Sequence, residues 1–314
     1  MGISRQQALD CLRSNDLIDI GMEADAVRRQ LHPEGVVSYA VECAISMTGG
    51  MRAVGKAGEA SLDVLYDEIR QTIDHGSTGV RLVGGLGSNS KDSRIEGFVG
   101  VVRGIRQRFP SLWLEGLSAA DIVALVTDSR LELREMIARL HDAGLDSIAS
   151  IDEQPKCSVA EWIEVHRAAH GLGMPTVATM AFGADETLEQ RVDTLAALRQ
   201  LQEETGGFAA FIPVAAAAPS GRELDSVTAV EQLKTLAIAR IFLDNFQNIQ
   251  WNAAAQGLKV LQMGLRFGAN DAGSVTPEAA AASHITEEDL RRIIRGAGFQ
   301  PVQRDIPYRT MFLN

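Results

Sequence analysis

The feature that most constrains this chain is a repeated alternation. Short β-branched or apolar runs are each followed by a longer run with helical spacing. The strand-like runs are 36–45, 79–83, 112–115, 147–151, 176–182, 208–214, 248–251 and 265–269. Helical runs lie at 62–73, 95–108, 131–143, 158–170, 188–204, 227–245 and 253–264, and a last one follows Thr286 at 287–297. A parallel strand reaches its neighbour only through a crossover of a dozen or more residues, so this order dictates βαβ units. The regular alternation, with no reversal, favours a TIM-type (β/α)8 barrel over an open doubly wound sheet.

Residues 1–35 read as an N-terminal helical cap, with Ser4 placed to cap and His32-Pro33-Glu34-Gly35 to stop it. Residues 36–275 read as the barrel, and 276–314 as a C-terminal helix and tail packed on it. Ser158 with Glu161 and Thr286 with Asp289 are capping-box patterns. No low-complexity linker divides the 314 residues, and one domain is expected.

Composition narrows the partners. The net charge of −11 argues against nucleic acid. The N-terminal residues carry no apolar targeting core, and no apolar run of about 18 residues occurs, so a cytoplasmic protein without a membrane partner is expected. The three cysteines, Cys11, Cys43 and Cys157, are far apart and suggest neither a disulfide framework nor a paired-thiol metal site.

In a barrel of this type, the functional loops follow the C-terminal ends of the strands. Those loops are 46–58, 84–89, 115–118, 149–153, 182–187, 213–219, 252–256 and 270–274. Gly84-Gly85 could let backbone N–H groups approach a ligand, or simply make a tight turn. Asn270 and Asp271 could hold ligand hydroxyls, or cap their loop. Arg81 inside a strand needs a partner, and Glu115 on the next strand is the natural one. Together they read as an anion clamp, as a tuned Glu base, or as a structural pair. His166 and His170 have the spacing of paired zinc ligands but lack a third, which favours a solvated helix face. Ala215–Ala218 and Ala253–Ala255 leave room for an apolar pocket, or reflect helix formation. With Asp185, Asn252 and Gln256 in the same loops, the ligand-binding candidates are Gly84, Gly85, Glu115, Asp185, Asn252, Gln256, Asn270 and Asp271. Candidate catalytic groups are Glu115, Arg81 and Asp271.

Several long blocks resemble the radical-SAM cyclic dehypoxanthinyl futalosine synthase family of the futalosine route to menaquinone, related to aminofutalosine synthase and the F420-cofactor synthase subunits. They are residues 24–39 (ADAVRRQLHPEGVVSY), 156–158 with Glu161 and Trp162, 172–180 (LGMPTVATM), 202–213 (QEETGGFAAFIP), 243–245, 266–271 (RFGAND) and 297–299. The resemblance implies a radical-SAM barrel. It also implies a C-x3-C-x2-C motif after the first strand, whose three thiolates hold a [4Fe–4S] cluster that presents an open iron to S-adenosylmethionine.

Counting forward from Val37 without a gap, those three positions fall on Met51, Gly55 and Gly58. The spacing survives and the ligands are absent. Cys43 is eight residues too early. Other mouth positions also depart from the family: Val83 stands before Gly84 in place of Gln, Arg81 and Glu115 stand where Leu and His are expected, and Ala253 and Ala255 replace Trp and Thr. The expectation is therefore a protein without a [4Fe–4S] cluster and without radical chemistry. It would bind a small molecule, nucleoside-like or apolar, or form a heteromer with a cluster-bearing homologue. The alternative is an enzyme with new, non-radical chemistry. Whether Gly84-Gly85 still receives S-adenosylmethionine is left open.

Overall fold

The computed structural model describes residues 2–47, 58–84, 91–129, 131–149, 157–183, 186–216, 227–276 and 285–311. They fall into two compact units. One comprises Met1–Ala40 with Val177–Asn314, the other Val41–Thr176.

The unit Val41–Thr176 is built on a four-stranded sheet in chain order, β2 (Cys43–Ser46), β3 (Gly79–Val83), β4 (Trp113–Gly116) and β5 (Ser147–Ile148), with every described pair parallel. Its crossovers carry α3 (Gly58–Asp74), α4 (Lys91–Arg108), α5 (Ala119–Asp128) and α6 (Leu133–Ala143), and α7 (Val159–His170) follows β5. The strands have two unlike faces because side chains alternate. Cys43, Ile45, Val80, Leu82, Leu114 and Ile148 join the helices in one buried apolar core. Ala44, Arg81, Val83 and Glu115 lie on the opposite face, where Ala44 and Val83 are exposed.

In the other unit, α1 (Arg5–Arg13) and α2 (Leu17–Leu31) precede β1 (Val36–Val41). After Thr176 come β6 (Thr176–Phe182), α8 (Leu188–Thr205), β7 (Phe208–Ala215), α9 (Ala229–Phe242), β8 (Asn248–Ile249), α10 (Ala253–Gln256), α11 (Leu258–Gly264), β9 (Asp271–Val275), α12 (Glu287–Gly296) and β10 (Gln300–Gln303). The strand orders are β6-β7-β8 and β10-β1-β9, and a Gln250–Asp271 bridge joins the two sets. Phe211 of β7 faces the ring of Phe246, whereas Ala210 and Ile212 pack with Val177 on the opposite face.

Capping follows the sequence. Ser158 with Glu161 and Thr286 with Asp289 form the expected capping boxes, and Ser4 closes one with Gln7. Two readings need correction. The run 36–45 is two strands separated by Glu42. The run 265–269 is a turn after α11: its apolar residues Leu265 and Phe267 anchor it, and Gly268 closes it at φ +105. A side chain at Gly268 would place its Cβ 2.7 Å from the Cβ of Arg240. The strand comes one step later, as β9. The C-terminal residues also contribute β10, which pairs in parallel with β1 from Val36–Gln300 to Tyr39–Gln303.

Candidate functional site

The face of the Val41–Thr176 unit opposite its helices carries a charged trio. Register places Arg81 directly opposite Glu115 on β4 and beside Ala44 on β2. The Arg81 Nε lies 3.1 Å from Glu115 Oε2, and its Nη2 lies 2.5 Å from Glu42 Oε1. The Arg81–Glu115 pairing read from the sequence is therefore formed. Glu42 is the member that sequence reasoning missed. A guanidinium held by carboxylates on two sides is already neutralised, so it is poorly placed to clamp an anion. The trio as a whole carries one net negative charge.

Gly84, exposed at the end of β3, has φ +71, a backbone region that suits glycine. Gly85, Asp185, Met51 and Gly55 lie outside the described residues. Gly58 is the first residue of α3.

Asn270 and Asp271 correct the reading made of them. They stand at the start of β9, not at the end of a strand. Asp271 is 0% exposed. It accepts from Ser38 Oγ at 2.6 Å and from the Gly273 N–H at 2.9 Å, and Arg304 engages both its oxygens, one at 3.1 Å from Nη2. Asn270 accepts from Arg240 Nη2 at 2.7 Å and from the Ile249 N–H at 2.8 Å, and donates to Asn248 at 2.9 Å. Both side chains are spent on the fold.

Asn252 is half-buried after β8, with its carbonyl accepting from the Gln256 N–H at 3.2 Å. The Gln256 carboxamide has both polar atoms shut from solvent with no partner among the described residues. Gln250, which the sequence did not single out, is 5% exposed. Its Oε1 accepts from Tyr308 OH at 2.5 Å and Arg304 Nη2 at 3.2 Å.

His166 and His170 also depart from expectation. Rather than facing solvent, His166 is buried, and both rings meet the Thr176 hydroxyl at 2.8 Å. Burial holds His166 well below the usual imidazole range, aided by His170 beside it, and pushes His170 down to about 4. Neutral rings sharing one hydroxyl are a structural arrangement.

The three cysteines lie in or beside different elements. Cys43 points into the helix-side core between Ile45 and Val80, and Cys11 and Cys157 belong to α1 and to the approach to α7. Among the described residues, no three His, Cys, Asp or Glu side chains are grouped to hold a metal ion.

Comparison with known proteins now bears on this geometry. Residues 205–313 match the family described as the CofH/MqnC C-terminal region. Over 99% of its length the chain is 31% identical to the cyclic dehypoxanthine futalosine synthase of Streptomyces coelicolor, covering 86% of that protein. It belongs to the futalosine synthase family. The aminodeoxyfutalosine synthase of Thermus thermophilus is 32% identical over 98% of the chain and 92% of its own length. A 5-amino-6-(D-ribitylamino)uracil–L-tyrosine 4-hydroxyphenyl transferase of Methanococcoides burtonii is 31% identical over 80% and 78%. The alignment to the Streptomyces futalosine synthase spans 348 positions, more than the 314 residues of this family member, which therefore lacks segments its relative has.

Among solved structures, HydG, a maturase of the [FeFe]-hydrogenase, gives a TM-score of 0.69 at 13% identity, covering 96% of this chain and 72% of HydG. Methylornithine synthase gives 0.66 at 13%, covering 96% and 94%. That likeness is one of fold, and the fold class is the radical-SAM-type (β/α) barrel. Among the described residues no helix is long and apolar enough to cross a membrane.

Proposed function

We propose that this member of the futalosine synthase family binds a small molecule and does not cleave S-adenosylmethionine reductively. The observation that carries the reading is the donor set. Met51, Gly55 and Gly58 occupy the three positions where the family resemblance implies thiolates, and the nearest cysteine, Cys43, is turned into the helix-side core. Reductive cleavage needs an electron from a thiolate-held cluster, and among the described residues no group of His, Cys, Asp or Glu is placed to hold one.

The framework is kept while the mouth is altered, the pattern expected when a new site is grafted on an old scaffold. In the Val41–Thr176 unit, the strand face opposite the helices remains accessible at Ala44 and Val83. A ligand entering there would meet small or apolar side chains beside a few fixed polar groups, which is the usual make-up of a ligand site.

A second reading, an enzyme with non-radical chemistry, draws support from the Glu42–Arg81–Glu115 trio, since charged groups held on a partly open face can serve as acid or base. One experiment separates the readings. Purified protein is incubated anaerobically with S-adenosylmethionine, a low-potential reductant and candidate nucleosides. The proposal expects no 5′-deoxyadenosine and unchanged nucleoside. Deoxyadenosine formation would overturn it, turnover of a nucleoside without deoxyadenosine would favour the second reading, and activity appearing only with a cluster-bearing homologue would point to a heteromer.

A further inference from the structure

The helix α2 carries an apolar face that the fold does not use. Its inward side is set by Ile20, Gly21 and Ala24, all buried at helical spacing. That side is pinned at several points. A side chain at Gly21 would place its Cβ 2.5 Å from the Phe267 ring, so the helix sits directly on that residue. Arg28 lies 4.4 Å from the ring centroid of Phe299, and its Nε donates to Asp25 at 2.8 Å. The rotation of α2 is thus fixed, and so is the face it turns outward. On that face, one turn apart, Ile18 is 63% exposed and Met22 is 65% exposed. They are the two most exposed large hydrophobic side chains among the described residues.

Helical geometry points to the occupant. At about 100° per residue, Asp19, Met22, Ala26 and Arg29 all project within about 40° of the direction opposite the buried Ala24. They are also symmetric along the helix: Met22 and Ala26 stand two residues either side of Ala24, and Asp19 and Arg29 stand five either side. A second α2, laid antiparallel with its Ala24 level with this one, brings Met22 of each copy to the small Ala26 of the other. It also sets Asp19 of each copy level with Arg29 of the other, about 7.5 Å from the middle. A parallel pair would instead set Asp19 beside Asp19 and Arg29 beside Arg29. Both charges are available for the antiparallel pairing. Asp19 is exposed, and its carboxylate has no partner among the described residues. The Arg29 side chain is 64% exposed, and its one ion pair among the described residues is from Nε to Asp25 at 3.6 Å.

We propose that a second copy of this chain covers this face through an antiparallel α2–α2 contact on a two-fold axis. Met22 packs against Ala26 at its centre, Ile18 flanks them, and two Asp19–Arg29 ion pairs close its ends. The antiparallel arrangement also sets each helix N-terminus beside the other copy's C-terminus, which the helix dipoles favour. One pair of helices is smaller than the roughly 1,200–2,000 Å² of a standard interface, so the dimer is weak and reversible. The contact is independent of whether the protein binds a small molecule.

Sedimentation velocity of the full chain, run from about 1 to about 300 µM to span a weak dimer, tests the contact. The weight-average sedimentation coefficient should rise with concentration from the monomer towards the dimer value. Asp19→Arg and Arg29→Asp each set like charges together at both ends, and each should weaken the dimer at least about tenfold. The double substitution restores opposite charges and should return the dissociation constant to within about threefold of the parent. Met22→Glu leaves both charges in place, buries a carboxylate at the centre, and should also dissociate the dimer. Circular dichroism melting shows which variants are folded, and should a charge variant be unfolded, Met22→Glu decides. A monomer at every concentration overturns the inference. So does a dimer untouched by Met22→Glu or by the single charge reversals, and so does a folded double variant that associates no more tightly than the singles.

Discussion

Asp271 is the candidate whose role the structure changes most, and replacing it separates a structural carboxylate from a catalytic one. It is wholly buried against Arg304, itself 4% exposed, and also satisfies Ser38 and the Gly273 N–H. Asp271→Ala leaves a guanidinium in the interior without its counter-charge, which costs about 3–5 kcal/mol. The orphaned Ser38 hydroxyl and Gly273 N–H add about 1–2 kcal/mol. That is a large part of the roughly 5–15 kcal/mol that holds a typical domain. Asp271→Asn keeps the shape and loses the charge, and about 2–3 kcal/mol is expected for it. Arg304→Met alone should cost about as much, because it strands the carboxylate, whereas the double change Asp271→Asn with Arg304→Met should cost less than the two singles together. Urea unfolding followed by tryptophan fluorescence gives the midpoints. Trp251 is buried in the same unit and reports on it. Loss of binding or activity in Asp271→Asn at unchanged stability would refute the structural assignment.

Other perturbations follow from the same geometry. His170 is held down to about 4, below the ordinary imidazole value of about 6.5. A histidine depressed in the fold takes up its proton more readily when unfolded. Its stabilising contribution is therefore complete above about pH 6.5 and lost as pH falls towards 4, by about 2 kcal/mol after discounting for its partial exposure. Urea midpoints at neutral and acid pH should show this, and His170→Gln should flatten the dependence. Arg81→Met removes the guanidinium that pairs with Glu42 and Glu115 and should cost about 3 kcal/mol, read as a lowered melting temperature, with partial recovery on adding Glu42→Gln. Gly268→Ala, at φ +105 and against Arg240, should cost about 2 kcal/mol by the same assay.

Much of this was legible in the chain, for identifiable reasons. Arg81 and Glu115 could be matched because both sit on short strands of period two in neighbouring βαβ units, where register follows from burial of Val80, Leu82 and Leu114. The capping boxes at Ser158 and Thr286 were visible because their partners lie three residues away. What stayed hidden depended on distant contacts. Glu42 sits at the join of β1 and β2, inside a single strand-like run, 36–45, that conceals the join. The run 265–269 has strand-like composition, yet Gly268 makes it a turn, and this one-step shift moved Asn270 and Asp271 from a presumed loop to the start of β9. β10 is short, polar and contains Pro301, so only its pairing with β1 reveals it. α5 was not anticipated, although Ser118 with Asp121 forms a capping box at its start. Buried His166 and half-buried His170 both depend on Thr176, which lies beyond their own helix. Gln250 and Tyr308 are 58 residues apart, and no local pattern could join them.

The proposal that this chain holds no [4Fe–4S] cluster rests on Met51, Gly55 and Gly58 standing where the family resemblance implies cysteines. Anaerobic reconstitution with iron and sulfide, followed by desalting, iron and sulfide analysis and visible spectroscopy, tests it most directly. A colourless protein is expected, with iron far below one atom per chain and no thiolate-to-iron charge-transfer absorption. Four irons and four sulfides per chain, with that absorption, would contradict it.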